Sequence, residues 1–384
     1  MILNVGPSHP ATHGVLQIVV ELEGESIMRV DPIVGYLHRG VEKLAECITY
    51  HQFIPYTDRL NYVSSFLNNV GYVMAVEKLI GIEVPERAQV IRVILSEMSR
   101  IMDHLVCLGA NVVDIGAFTP FLYMFYAREK AYDILEEVCG ARMTVSYCRV
   151  GGVARDLPDG FEKKVLDFCD LTESTLKDVE GLLNKNRIFL DRTVGIGVIS
   201  QEDAVSYGFT GPNLRATGKQ WDIRRAFPYL TYDRYEFDIP THDGGDIWAR
   251  YWVRLEEMRQ SVRIIRQALK DIPDGRIISD DFKHVLPDKE EVYSSIEGVI
   301  HHFEQIVQGI RPPKGEVYAS VEAANGELGY YLVSDGERSP YRLRIRPPCF
   351  IYYQALEQMV RGHIIPDLVG ILGSINIIAG ELDR

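Results

Sequence analysis

The stretch PERAQVIRVILSEMSRIMDHL, residues 85–105, decides the fold. Pro85 stands at a helix start, where the missing N–H costs nothing because the first-turn donors have no intrahelical partner. Behind it Ile91, Ile94, Met98, Ile101 and Leu105 recur at steps of three and four and form one apolar stripe, with Glu97, Arg100 and His104 on the other side. Those three polar residues read as a polar helix face or an inter-helix network. Helical spacing also starts at Val41, and it covers 116–140 and 161–184; Met124, the run from Phe118 to Phe125 and Met143 are expected in the core. Asp246 is placed to cap a helix running to Lys270, whose stripe is Ile247, Tyr251, Leu255, Met258, Val262, Ile265 and Leu269. One more helix is expected over 290–309. Two close the chain, broken at Gly362 and Pro366, with 364–380 read as a buried helix.

The period changes near both ends. Leu16, Ile18, Val20 and Leu22 alternate as on a half-buried strand, and Glu23-Gly24-Glu25 turns the chain into a second strand over 26–30. Residues 317–323, 328–334 and 341–346 read as three strands, with Asn325-Gly326 and Asp335-Gly336 as turn signals. Residues 193–235 are rich in Gly and Pro and read as a long loop excursion with short strands. The expected architecture is α+β: a central helical bundle with small antiparallel sheets near both termini. It divides into 1–70 (hairpin and loops), 71–310 (helical core with an irregular excursion near 193–245) and 311–384 (β-meander and closing helices), acting as one functional unit.

Composition excludes several classes of function. The 41 Lys and Arg stand against 54 Asp and Glu, a net charge of -13, which argues against broad nucleic-acid binding. The six cysteines include no CxxC pair, so no metal site or iron–sulfur cluster is expected on this chain alone. Dispersed thiols fit a reducing compartment, as small buried hydrophobes. Gly195-Ile196-Gly197 lacks the third glycine of a dinucleotide loop, and Gly218-Lys219-Gln220 lacks the hydroxyl residue of a phosphate loop. No leader peptide or uncharged membrane-length run is apparent, so a chain soluble by itself is expected, able to sit on a membrane through a partner.

Chemistry concentrates in three short loops. Gly6-Pro7-Ser8-His9-Pro10-Ala11-Thr12-His13-Gly14 carries two imidazoles, Leu37-His38-Arg39-Gly40 a guanidinium, and Pro55-Tyr56-Thr57-Asp58-Arg59-Leu60-Asn61-Tyr62 a phenol. Imidazole exchanges protons near neutral pH and phenol donates a hydrogen bond, which suits a pocket where a reduced carbonyl takes up protons. Taken singly, His9 and His13 read as structural or capping residues, and Tyr62 as a core residue with a satisfied hydroxyl. Asp114, between Val113 and Ile115, reads either as a helix-end cap or as a carboxylate that orients a histidine. Arg39 and Arg142 sit among Gly and apolar residues; each fits a salt bridge or a fixed positive charge beside an anionic cofactor.

Taken together, GPSHPATHG, GYLHRGVEKL, PYTDRLNYVS, DIGAFTPF, GARM with RVGGV, RYWVRLEEMRQS, GYYLVSDG and the closing GELDR resemble the D-subunit family of bacterial NADH–quinone oxidoreductase, respiratory complex I, over essentially the whole chain. The resemblance implies a fold like the large subunit of nickel–iron hydrogenases. Those enzymes hold their metal with two CxxC segments, which here correspond to cysteine-free 37–42 and 380–384. In the family the emptied cavity takes a quinone, menaquinone or ubiquinone, and electrons come from a 4Fe–4S cluster in a neighbouring subunit. By the same resemblance His13 and Tyr62 bind the quinone carbonyls, His9 shares the loop and Asp114 pairs with the histidine. Arg39, Arg142 and Thr144 lie near the cluster, Thr144 standing where relatives often have histidine. Implied partners are the small iron–sulfur subunit, other peripheral-arm subunits and a membrane-arm subunit, with location on the cytoplasmic side of the bacterial inner membrane. Two other functions fit: a non-catalytic hydrogenase-like scaffold, and the same quinone-site protein in a ferredoxin-fed complex.

Overall fold

The 85–105 stretch opens a 29-residue helix, Glu86–Asp114, with Pro85 at its N-cap, in a computed structural model that describes residues 1–384. Its apolar stripe is buried, and so are Glu97, Arg100 and His104. The helix is therefore enclosed on both sides, with Ile247–Lys270 and Phe118–Cys139 packed along it. Phe161–Leu183 lies against both of those neighbours. The cap expected at Asp246 is present, its Oδ1 accepting the N–H of Ala249 at 2.7 Å.

Two three-stranded antiparallel sheets flank the bundle. Near the start, Gln17–Glu23 is central between Ile2–Val5 and Ser26–Ile33. Ile18, Val20 and Leu22 point into a second, smaller core shared with the Leu356–Val360 and Ile365–Ile375 helices. Near the end, Gly326–Ser334 is central between Gly315–Ala323 and Arg342–Arg346. That sheet packs on the Ser65–Ile80 helix. The architecture is the α+β class expected from the change of period.

Four expectations are corrected. The 193–235 excursion holds no strand; it folds into Gln201–Tyr207, Gly211–Arg215 and Ile223–Ala226 helices and a Tyr232–Arg234 turn. Ser200 and Asp222 cap two of these helices, and their side-chain oxygens favour that start over a strand. The helix expected over 290–309 is two, Lys289–Ser294 and Ile296–Val307, because Ser295 turns extended and caps the second through Gly298 N–H. The closing pair is four helices, Pro348–Gln354, Leu356–Val360, Ile365–Ile375 and Ala379–Asp383. The expected 364–380 helix stops at Asn376, whose left-handed backbone frees its amide for Asp103. Fourth, the Phe118–Phe125 run is only partly core: Met124 is buried, whereas Phe118 is 59% exposed and Leu122 and Tyr123 are exposed beside it. Met143 and Cys47 are exposed as well.

Candidate functional site

The Gly6–Gly14 loop is tied from within. Gly6 has φ +85, and a Cβ there would fall 1.9 Å from Leu16 O, so no other residue fits. Thr12 Oγ1 donates to His9 O at 2.7 Å and lies 2.9 Å from Gly14 O. His9 Nδ1 accepts the N–H of Ala11 at 3.2 Å and caps the Pro10–Thr12 turn. His9 thus caps the turn with its side chain, and His13 closes it with its backbone N–H, which donates to Pro10 O at 3.2 Å and leaves the imidazole free of capping. His13 follows that turn in the left-handed region (φ 53), an uncommon conformation for a residue with a Cβ.

This conformation delivers the imidazole to Asp114, with Nε2 2.6 Å from Oδ2 and both side chains less than one-fifth exposed. Asp114 is the last residue of the 86–114 helix. A carboxylate has no donor for the free carbonyls there and meets the negative end of the helix dipole, so it does not cap; its partner is the His13 imidazole. Of the two readings of Asp114, the structure selects the histidine partner.

Tyr62 opens the Tyr62–Ser64 turn, which Asn61 caps through Val63 and Ser64 N–H. Asn61 Nδ2 donates to Asp103 Oδ2 at 2.9 Å, and Asn376 Nδ2 donates to Asp103 Oδ1 at 2.6 Å. The turn is therefore set by a buried carboxylate on the long helix. Tyr62 is half-buried, and no hydrogen bond within the chain engages its hydroxyl. Burial raises its pKa, with Cys349 adding to the rise and the Arg39 guanidinium opposing it, so the phenol stays protonated near neutral pH. Arg39 donates to Arg59 O at 2.8 Å and Gly380 O at 2.9 Å; burial lowers its pKa against the pull of Asp383.

The two halves rest on one stretch of the chain. A Cβ on Gly373 would lie 3.1 Å from His13 Nε2, Ala379 Cβ lies against Gly14, and a Cβ on Gly380 would meet Arg59 O and Leu60 O at 2.7 Å. The segments 37–42 and 380–384 also meet. Asp383 accepts the N–H groups of Gly35 (3.0 Å) and Leu37 (2.7 Å), His38 Nδ1 lies 2.7 Å from Asp383 O, and Arg384 reaches Glu42 at 3.3 Å. A cavity of about 340 Å³ lies there, with His38, Glu42, Asp383 and Arg384 in its lining.

The structure does not gather every expected residue into one group. Arg142 is exposed, paired with Glu129 at 2.7 Å and over the Tyr132 ring. Thr144 is half-buried next to Met143, whose carbonyl accepts the Ser65 hydroxyl just beyond the Tyr62 turn. Sequence reading missed Asn61, Asp103, Asn376 and Asp383, and also Glu381. Burial pushes the Glu381 carboxyl up to about 7, and its Oε1 accepts Cys349 N–H at 3.2 Å. The one available signal was at Asn61 and Asn376, each a polar residue between two apolar or aromatic neighbours.

Glu97, Arg100 and His104 belong to a buried ion network. Arg224 bonds Glu97 at 3.1 Å and Asp222 at 2.6 Å, Arg215 bonds Glu257 at 2.9 Å and Glu322 at 2.8 Å, and His104 lies 3.2 Å from Glu257. Burial alone would raise the Glu97 pKa, yet Arg100, Arg224, Ser261 and Tyr232 outweigh it and hold it at about 2. Burial and Asp222 push the Glu322 carboxyl up, while Arg215, Arg224 and Arg100 oppose the rise. Asp222, Glu257 and Glu322 offer oxygens within 4.8 Å of one another, but Arg215 and Arg224 already neutralise that cluster. The inter-helix network is the correct reading of the three residues on the long helix.

A protein-family model described as "Respiratory-chain NADH dehydrogenase, 49 Kd subunit" matches residues 114–384. The chain belongs to that family. It is 55% identical over 384 residues to the NADH-quinone oxidoreductase D subunit of Geotalea uraniireducens, covering 100% of this chain and 98% of the relative. Against the D subunit of Myxococcus xanthus it is 53% identical, covering 100% of this chain and 92% of the relative. Against the C/D subunit of Bdellovibrio bacteriovorus it is 51% identical over 382 residues, covering 100% of this chain and 68% of the relative. As a member of the family the chain is one of the subunits of complex I, an electron-transporting oxidoreductase. No helix in it is long and apolar enough to cross a membrane.

Proposed function

We propose that this chain forms the quinone-reduction site of its oxidoreductase, with 1–70, 71–310 and 311–384 acting as one unit. The observation that carries the reading is the His13–Asp114 pair, set in a strained loop on the same backing as Tyr62 and Arg39. A partner subunit's iron–sulfur cluster supplies electrons. Reduction of a quinone to the quinol takes two electrons and two protons, one to each carbonyl oxygen. Tyr62 Oη and protonated His13 donate a hydrogen bond and then a proton, each to one oxygen, and both are refilled from solvent. Once His13 gives up its proton, Asp114 stands uncompensated at the negative end of its helix. That imbalance is the electrostatic event offered to the membrane arm for proton translocation. The partners of this reading are the small cluster subunit, its peripheral-arm neighbours and the membrane-arm subunit at the quinone chamber. The assembly sits on the cytoplasmic side of the inner membrane.

His13→Met keeps bulk and removes the exchangeable proton. It is expected to cut quinone reductase turnover in the assembled complex by roughly 10-fold or more, while electron transfer to ferricyanide upstream of the quinone stays intact. Unchanged turnover would remove His13 from the chemistry. Failure of a photoreactive quinone analogue to label the Gly6–Gly14 loop would favour a scaffold instead.

Thr144 gives a second test. Its hydroxyl does not titrate near neutral pH, so this position gives the neighbouring cluster no redox-linked proton. The cluster potential is expected to be nearly flat with pH, and lower than in relatives with histidine there, as suits menaquinone. A measured slope approaching about 59 mV per pH unit would overturn this.

A further inference from the structure

Residues 290–310 contain Glu290, Glu291, Glu297 and Glu304 and neither Lys nor Arg. Within them the Ile296–Val307 helix repeats Ile296, Val299, Ile300, Phe303, Ile306 and Val307 at helical spacing. Such a stripe ordinarily faces a core. Here it faces outward: exposure runs from 47% at Ile306 to 75% at Ile296, while the helix buries Gly298 and Gln305. Tyr293 and Phe282 extend the exposed apolar surface. A patch of this kind marks a contact that the chain does not make with itself.

Charge decides between possible occupants. An anionic lipid surface is held by Lys and Arg on the polar face of an interfacial helix, and this polar face carries glutamates and His301 and His302. A second copy would bring like-charged glutamates together. An apolar groove edged by Lys and Arg satisfies both faces at once, as in helix-in-groove recognition. Beside the helix lies a cavity of about 240 Å³ whose lining includes Val285 and Leu286 together with Arg276, Asp288, Glu291 and His301.

We propose that the Ile296–Val307 helix docks into a basic-edged apolar groove on another subunit of the oxidoreductase. The proposal depends on membership of a multisubunit complex and not on the quinone reading. A zero-length carboxyl–amine cross-linker applied to the intact complex is expected to join Glu297 or Glu304 to a lysine of a different subunit. The thiol of a Phe303→Cys variant, followed by mass spectrometry on its own peptide, is expected to react with maleimide at least 10-fold more slowly in the complex than in the isolated chain. Ile300→Asp with Phe303→Asp is expected to leave thermal unfolding of the isolated chain unchanged and to release the chain from the complex. Any of three results overturns the proposal: cross-links between copies of this chain only, equal maleimide rates in both states, or co-flotation of the isolated chain with phosphatidylglycerol vesicles that the double variant abolishes.

Discussion

Tyr62→Phe is expected to lower quinone reductase turnover of the assembled complex by on the order of 100-fold, the scale of losing a positioned proton donor. The substitution deletes one oxygen. Asn61, which sets the turn through Asp103, is untouched, so the ring stays where it is. Because no residue of the chain bonds the hydroxyl, its loss leaves no partner unsatisfied and the fold is expected to keep its stability. The measurement is steady-state turnover with several quinones beside the electron paramagnetic resonance signal of the cluster. Loss of turnover with a normal cluster signal supports the donor role, and normal turnover with every quinone defeats it. Arg39 gives an internal comparison: Arg39→Lys keeps the charge but not the two carbonyl bonds to Arg59 and Gly380.

The largest expected loss of stability follows Arg224→Met, at about 3–5 kcal/mol, the range for removing one member of a buried ion pair. Arg224 faces Glu97, Asp222 and Glu257 with almost no exposure, and its removal strands carboxylates that water cannot reach. Urea unfolding of the isolated chain measures it. Combining Arg224→Met with Asp222→Asn is expected to cost less than the sum of the two single changes, because the second removes a charge the first has orphaned. A single-variant loss below about 1 kcal/mol would mean that the network relaxes around the gap.

Much of the framework was legible in the sequence. The 91–105 stripe and the Asp246 cap reported helices because their period and capping chemistry are local. The alternation over 16–22 reported a strand for the same reason. What sequence could not report was which polar residues meet. Glu97 and Glu257 are 160 positions apart in the chain and join through Arg224 and Arg100, and no spacing rule reaches that far. The outward turn of Phe118 and Leu122 was hidden because an apolar side chain reads the same whether its cover comes from this chain or from another. Of the candidate site, the loops announced themselves through Gly, Pro and His. The pairing of His13 with Asp114 came from the family resemblance and not from spacing, because it depends on where a long helix happens to end.

The stretch from Gly373 to Gly380 acts as a common footing for two groups that never touch it covalently. The His13 imidazole lies against Gly373, and the carbonyls of Arg59 and Leu60, just before Tyr62, lie against Gly380. A shift of that footing would move both at once, so under the proposed quinone reading the spacing of the two loops is a property of the last turns of the chain and not of either loop.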